Sequence, residues 1–213
     1  MNKQVNKDHY SFESYITHYR WSSLWHQLSE MIKLKPERIL EVGPGSNIFK
    51  AVATELGYTV QTADIDPDLD PDHVCSLTNL PFDTDSFDLV CAFQVLEHLP
   101  FNDSVLGFAE MARVSSNAIV ISLPDARKSW LVLFQVPFFG TCQFHLTLPK
   151  LIRLSHKFDG QHYWELNKKG FALNAVIKIF EQASNFRLEK TYRVATHPYH
   201  RFLVFQKPES DSK

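Results

Sequence analysis

The chain has 213 residues, 44% of them hydrophobic, with 22 basic against 24 acidic side chains and a formal net charge of −2. That length fits one domain with a sizeable core, and the charge balance excludes a general nucleic-acid binder, which would carry a basic face. Cys75, Cys91 and Cys142 lack metal-ligand spacing and the opening "MNKQVNKDHYSFES" has no apolar run, so a reduced, cytoplasmic protein without a signal peptide is expected.

Along the chain, Phe12, Tyr15, Ile16, Tyr19, Leu24, Trp25, Leu28 and Met31 follow a helical period, which predicts one helix over 11–33. "ERILEV" (37–42) reads as a buried strand, Ile48 to Leu56 as a helix closed by Gly57, and "YTVQTAD" (58–64) as the next strand. "DHVCS" is a short third strand and "FDLVCAF" (87–93) a fourth. A helix over 102–113 and a fifth strand, "NAIVISL" (117–123), follow. Apolar strands alternating with helices predict a parallel sheet covered on both faces.

After Pro124 the rhythm breaks until a helix resumes near Gly170, with Phe171, Val176, Ile179, Phe180 and Ala183 on its inner face. "FRLEKTYRV" and "HRFLVFQ" then alternate as two closing strands, the second antiparallel. Within the break, "WLVLFQVPFFG" (130–140) is too short to span a bilayer, which takes about 20 residues. With the basic "PKLIRLSHK" behind it, a membrane-surface contact is one reading; a buried lid helix or a dimer contact is preferred.

The stretch "ILEVGPGSN" (39–47) places Gly43 and Gly45 at the carboxyl end of the first strand, where a doubly wound sheet opens its ligand crevice. No G-x-x-x-x-G-K-[ST] loop is present for a triphosphate. The third glycine of a dinucleotide fingerprint is replaced by Ile48. Asp64, at the end of the second strand, is placed to accept both hydroxyls of a ribose. An adenosine-bearing ligand without a pyrophosphate seat is what remains.

These segments resemble class I S-adenosylmethionine-dependent methyltransferases of the broad type 11 subgroup. "ILEVGPGSN", "TADIDP" and "LPFDTDSFDLVCAFQVLEHLP" match that family's motifs in order and spacing over 37–123. The resemblance implies an α/β, Rossmann-like, doubly wound seven-stranded sheet of order 3-2-1-4-5-7-6 with the last strand antiparallel, an N-terminal helix and an insertion after the fifth strand. It divides a single domain (1–207) into the helix 11–33, a cofactor half 37–123, an acceptor insertion 124–169 and a carboxyl-terminal part 170–207, before a flexible tail 208–213.

The same resemblance implies S-adenosyl-L-methionine as cofactor and S-adenosyl-L-homocysteine as product. Gly43, Pro44 and Gly45 would pass beneath the methionine part, with Glu41 holding its ammonium. Asp64 would grip the ribose, Ile65 would pack on adenine, and Ser76 and Leu77 would flank that ring. Phe93 and Gln94 would face the methionine part and the acceptor. Asn47 stands where the family has a third glycine, and Ser76 where an adenine-reading aspartate is common; asparagine tolerates the left-handed conformation better than most residues.

Histidines are the first candidates for a general base, and His98, His145 and His162 are singled out. A relative that methylates RNA ends uses Glu-x-x-Glu-His as metal ligands; here Gln94 replaces the first glutamate, and no metal is expected. Tyr163, Trp164, Glu165, His197, Tyr199 and His200 complete a candidate acceptor pocket. The carboxyl-terminal half looks like methyltransferases encoded in bacterial surface-polysaccharide clusters. The acceptor is therefore expected to be a small molecule or glycan methylated on O or N, and not a nucleic acid. A quinone-like aromatic acceptor and a non-catalytic partner subunit of the same fold are the alternatives.

Overall fold

In a computed structural model of the chain, residues 7–147 and 154–208 are described. The tail from 209, the first six residues and residues 148–153, which include the start of "PKLIRLSHK" (149–157), lie outside them. The principal sheet is built from β1 (Arg38–Val42), β2 (Thr59–Asp64), β3 (His73–Val74), β4 (Phe87–Phe93), β5 (Ser115–Pro124), β8 (Arg187–Arg193) and β9 (His200–Gln206). Their order is β3-β2-β1-β4-β5-β9-β8. Without the hairpin β6 (Ser129–Val136) and β7 (Gly140–Thr147), this is the predicted 3-2-1-4-5-7-6. Only β9 runs against the rest: it pairs antiparallel with both β5 and β8.

The central strands are buried on both faces because their sequences are largely apolar; Leu40, Val90, Ile119 and Ile121 are fully covered. On one face, α4 (Phe101–Val114) and α5 (Leu173–Gln182) pack Phe108 flat against Phe180, with ring centroids 4.4 Å apart and Phe205 edge-on beneath. On the other, α2 (His18–Leu34) and α3 (Ile48–Glu55) seal the sheet through Leu24, Met31, Phe49 and Phe202. Burying a large side chain of this kind stabilises the fold by about 1.5–3 kcal/mol each.

Two expectations are corrected. The single amino-terminal helix is broken: a 3-10 turn (Lys7–Tyr10) and a short α1 (Phe12–Tyr15) precede α2. Thr17 interrupts the run in an extended conformation, and its hydroxyl accepts from the Arg20 N–H at 3.3 Å. It is an N-cap hidden inside an apolar period that continues across it. The stretch over 130–140 is no buried lid helix. It forms the β6–β7 hairpin, whose β-branched and aromatic residues favour strand. Phe138 and Gly140 turn the chain at φ 68° and 86°, and among the described residues the two strands pair only with each other. Trp130, Leu133, Phe134, Phe138 and Phe139 stand exposed along it.

Candidate active site at the strand tips

A cavity of about 390 Å³ opens at the carboxyl ends of β1, β2 and β4, within the size range of small-molecule sites. Its floor is the glycine turn. Gly43 and Gly45 hold φ of 72° and 51°. A Cβ on Gly43 would come within 2.5 Å of Val95 Cγ2, and one on Gly45 within 2.9 Å of Tyr10 Cε1. Asn47 adopts φ 58° as the following helix begins, and its amide donates to the Leu69 carbonyl at 2.9 Å. Here an asparagine does what the glycine of the motif would do, and its side chain braces the turn against the loop after β2.

Glu41, Gly43, Pro44, Gly45, Asp64, Ile65, Leu77, Phe93 and Gln94 all line this cavity, with Leu69 and Cys75 between them. Glu41 is fully buried, and its Oε2 has no hydrogen-bond partner. Burial pushes its carboxyl up to about 8, opposed only by the charge of Lys50. Asp64 is raised as well, first by burial, although its Oδ1 accepts from the Asp66 N–H at 2.8 Å. Gln94 is turned to φ 58° and held by its Nε2, which donates to Ser122 Oγ at 3.1 Å. Ser76 lies outside the lining: its hydroxyl pairs with Thr78 Oγ1 at 2.9 Å in the turn before Asn79.

The opposite wall comes from distant parts of the chain. His98 follows β4 in a 3-10 turn, Leu96–His98, and its Nδ1 lies 3.1 Å from the Gln161 carbonyl. His162 faces it with ring centroids 5.1 Å apart. Behind His162, Glu165 Oε1 stands 3.6 Å from Nδ1 and accepts from the Tyr199 hydroxyl at 3.0 Å. Burial lowers the His162 pKa, but Glu165, Glu97 and Asp159 outweigh it and the net shift is upward. His98 goes the other way, to about 4, through burial and then the neighbouring His162. One imidazole is kept neutral while the other is made a better proton acceptor.

Glu97 is buried with both carboxylate oxygens lacking a partner, and burial raises it to about 8. Glu97, His98 and His162 bring one ligand-capable atom each to within 4.8 Å of one another, as do Asp159, His162 and Glu165. The donor types suit a divalent cation.

His145 lies on β7 opposite Leu131, in the hairpin. Trp164 fills the core, its indole N–H donating to Ser104 Oγ at 2.9 Å, and Tyr163 packs its ring against Phe158 at a tilt, outside the cavity lining. His197, Tyr199 and His200 do line it. So do residues that motif reading missed. Tyr10, Tyr15, Ile16, Tyr19 and Arg20 form a cover over the floor, contributed by the helix break at Thr17. The only signal for them was the N-cap threonine inside the amphipathic run.

The sheet order, the glycine turn at the tip of β1 and the carboxylate at the tip of β2 together define the class I methyltransferase fold. The chain belongs to the methyltransferase domain family, whose model matches residues 12–167. S-adenosyl-L-methionine is accordingly the cofactor, with S-adenosyl-L-homocysteine as product.

Solved structures agree on the fold. The Burkholderia thailandensis 1,6-didemethyltoxoflavin N1-methyltransferase, with S-adenosylhomocysteine bound, is 14% identical. It superposes with a TM-score of 0.57 over 87% of this chain and 76% of its own. Magnesium protoporphyrin IX methyltransferase from Synechocystis, also with S-adenosylhomocysteine, gives 14%, 0.58, 97% and 90%. A glycopeptide N-methyltransferase gives 12%, 0.58, 88% and 89%. No curated protein matches the sequence.

Proposed function

We propose that the protein transfers a methyl group from S-adenosyl-L-methionine to an oxygen or nitrogen of a small molecule or glycan. The observation that carries this reading is one cavity shared by the glycine turn, Asp64 and a histidine backed by a carboxylate. The floor fits the cofactor. Gly43 leaves room where a side chain would collide, Glu41 offers an orphaned buried carboxyl to an ammonium, and Asp64 offers acceptors to ribose hydroxyls. Ile65 and Leu77 supply apolar contact for adenine, with Phe93 and Gln94 beside the methionine part. When bound, S-adenosyl-L-methionine supplies an electrophilic methyl carbon on a sulfonium.

His162 is the residue placed to take the acceptor's proton. Glu165 orients its Nδ1 side and stabilises the imidazolium that results, as a carboxylate does for any histidine base. Tyr199 donates to Glu165 and holds that carboxylate in place. His98, kept neutral, orients the acceptor from the other side. The aromatic cover of Tyr10, Tyr15 and Tyr19 favours a second reading, a flat quinone-like acceptor stacked beneath it.

Methyl-labelled cofactor offered with nucleotide sugars, oligosaccharides and quinone precursors tests the proposal. Label is expected in a member of the sugar set. Incorporation into the quinone precursors alone would replace that reading with the second. No detectable binding of S-adenosylmethionine by calorimetry would defeat both.

A further inference from the structure

We infer that Arg20, together with His197 and His200, forms a receptor for an anionic group, a carboxylate or phosphate, of a ligand in the cavity. The inference rests on the cavity being the ligand site of a methyltransferase. Arg20 is half-buried and lines it. Its guanidinium carbon lies 3.9 Å from the centroid of the Tyr15 ring, a contact that holds the planar group, and its hydrogen bond to the Tyr15 side chain uses only part of its fork of N–H donors. Four other arginines meet carboxylates: Arg38 with Asp88, Arg113 with Glu110, Arg193 and Arg201 with Asp125. Among the described residues, Arg20 has no carboxylate within ion-pair distance.

The surroundings of Arg20 are also arranged for negative charge. It sits in the first turn of α2, which has no acidic residue to answer the positive end of the helix dipole. A cation there opposes that dipole, and an anion would satisfy both. His197 and His200 line the same cavity with their rings 3.9 Å apart. Each has a buried Nδ1 with no hydrogen-bond partner, and His200 is almost wholly covered. Orphaned buried polar atoms are costly, and an anion accepting from both imidazoles would remove two of them at once. Burial, and then the neighbouring positive groups, hold both imidazoles below their usual pKa. The cavity lining thus combines the carboxylates of Glu41, Asp64 and Asp66 with Arg20 and the two imidazoles.

The anion has two possible sources, the carboxylate of the cofactor's methionine part or a charged group on the acceptor, and binding separates them. S-adenosylhomocysteine and 5′-methylthioadenosine, which lacks the amino acid, are titrated calorimetrically into wild type, Arg20→Gln and Arg20→Lys. Inorganic phosphate is titrated into each protein with and without S-adenosylhomocysteine. If the carboxylate is the cofactor's, Arg20→Gln weakens S-adenosylhomocysteine about tenfold or more, leaves 5′-methylthioadenosine unchanged, and Arg20→Lys recovers part of the loss. If the anion is the acceptor's, S-adenosylhomocysteine is unaffected, and saturable phosphate binding by wild type is lost in Arg20→Gln. The inference is overturned if Arg20→Gln, folded as judged by an unchanged melting temperature, matches wild type in every titration. Wild type that binds neither adenosine compound would defeat the methyltransferase reading instead, and phosphate binding to the unloaded protein still decides the role of Arg20.

Discussion

The floor and the wall of the cavity are built in different ways. Glu41, Gly43, Gly45 and Asp64 lie within one β-α-β stretch, at the ends of two strands paired residue for residue from Arg38–Thr59 to Val42–Ala63. His98, His162, His197 and His200 reach the same space from three separate segments, and Arg20 from a fourth. A local constellation needs only correct strand register, whereas a dispersed one needs the whole domain packed. In the proposed function the floor serves the constant partner, the cofactor, and the wall sets the acceptor.

The largest effect that would sharpen this contrast is on the wall. His162→Asn is expected to lower the methyl-transfer rate by about 100-fold or more while leaving S-adenosylhomocysteine affinity within twofold, measured by calorimetry. Equal loss of both would move His162 into the cofactor site. A pH–rate profile adds a signed check. Because the pKa of His162 is raised above its usual 6.5, the rate should climb with pH through a midpoint above that value, as the neutral base forms. Glu165→Gln should move the midpoint down.

On the floor the effects should fall on binding. Gly43→Ala sets a Cβ against Val95 at a positive φ, and Asp64→Asn removes charge-assisted acceptors; each is expected to weaken S-adenosylhomocysteine about tenfold. Affinity within twofold of wild type for both variants would separate the glycine turn from cofactor binding.

Smaller again is an effect on stability. Glu41 and Glu97 keep their protons to about pH 8 in the fold, whereas a free glutamate releases near 4.5. Stability should therefore fall as pH rises between those values. Glu97→Gln should flatten the dependence and raise the melting temperature at pH 8, as followed by thermal unfolding. Treatment with EDTA is expected to leave the transfer rate unchanged. Loss restored by a divalent ion would assign Glu97, His98 and His162 to metal binding. The least effect is expected at the hairpin, where Phe138→Ser should leave cofactor affinity within twofold.

The same contrast explains what could be read beforehand. The strands from Arg38 to Pro124 are apolar runs punctuated by Gly43, Gly45 and Gly57, and the sheet order followed from them by resemblance. The break at Thr17 could not be seen through hydrophobic period, because Tyr15, Ile16 and Tyr19 keep the helical spacing across it. Nor could the hairpin, since "WLVLFQV" is apolar on both faces and so has no period of two. Trp164 and His162 were indistinguishable as neighbours in "GQHYWELNKKG". Only packing shows that one fills the core against Ser104 and the other turns to the cavity.

On this reading one space holds adenosine at Asp64 and presents the methyl carbon towards His162. Crystals grown with S-adenosylhomocysteine test it most directly. The expected density has the ribose on the Asp64 carboxylate, the amino acid over Gly43 and the sulfur on the side of His162. An unfilled space beside Asp64 at saturating ligand, or adenosine seated elsewhere, would contradict it.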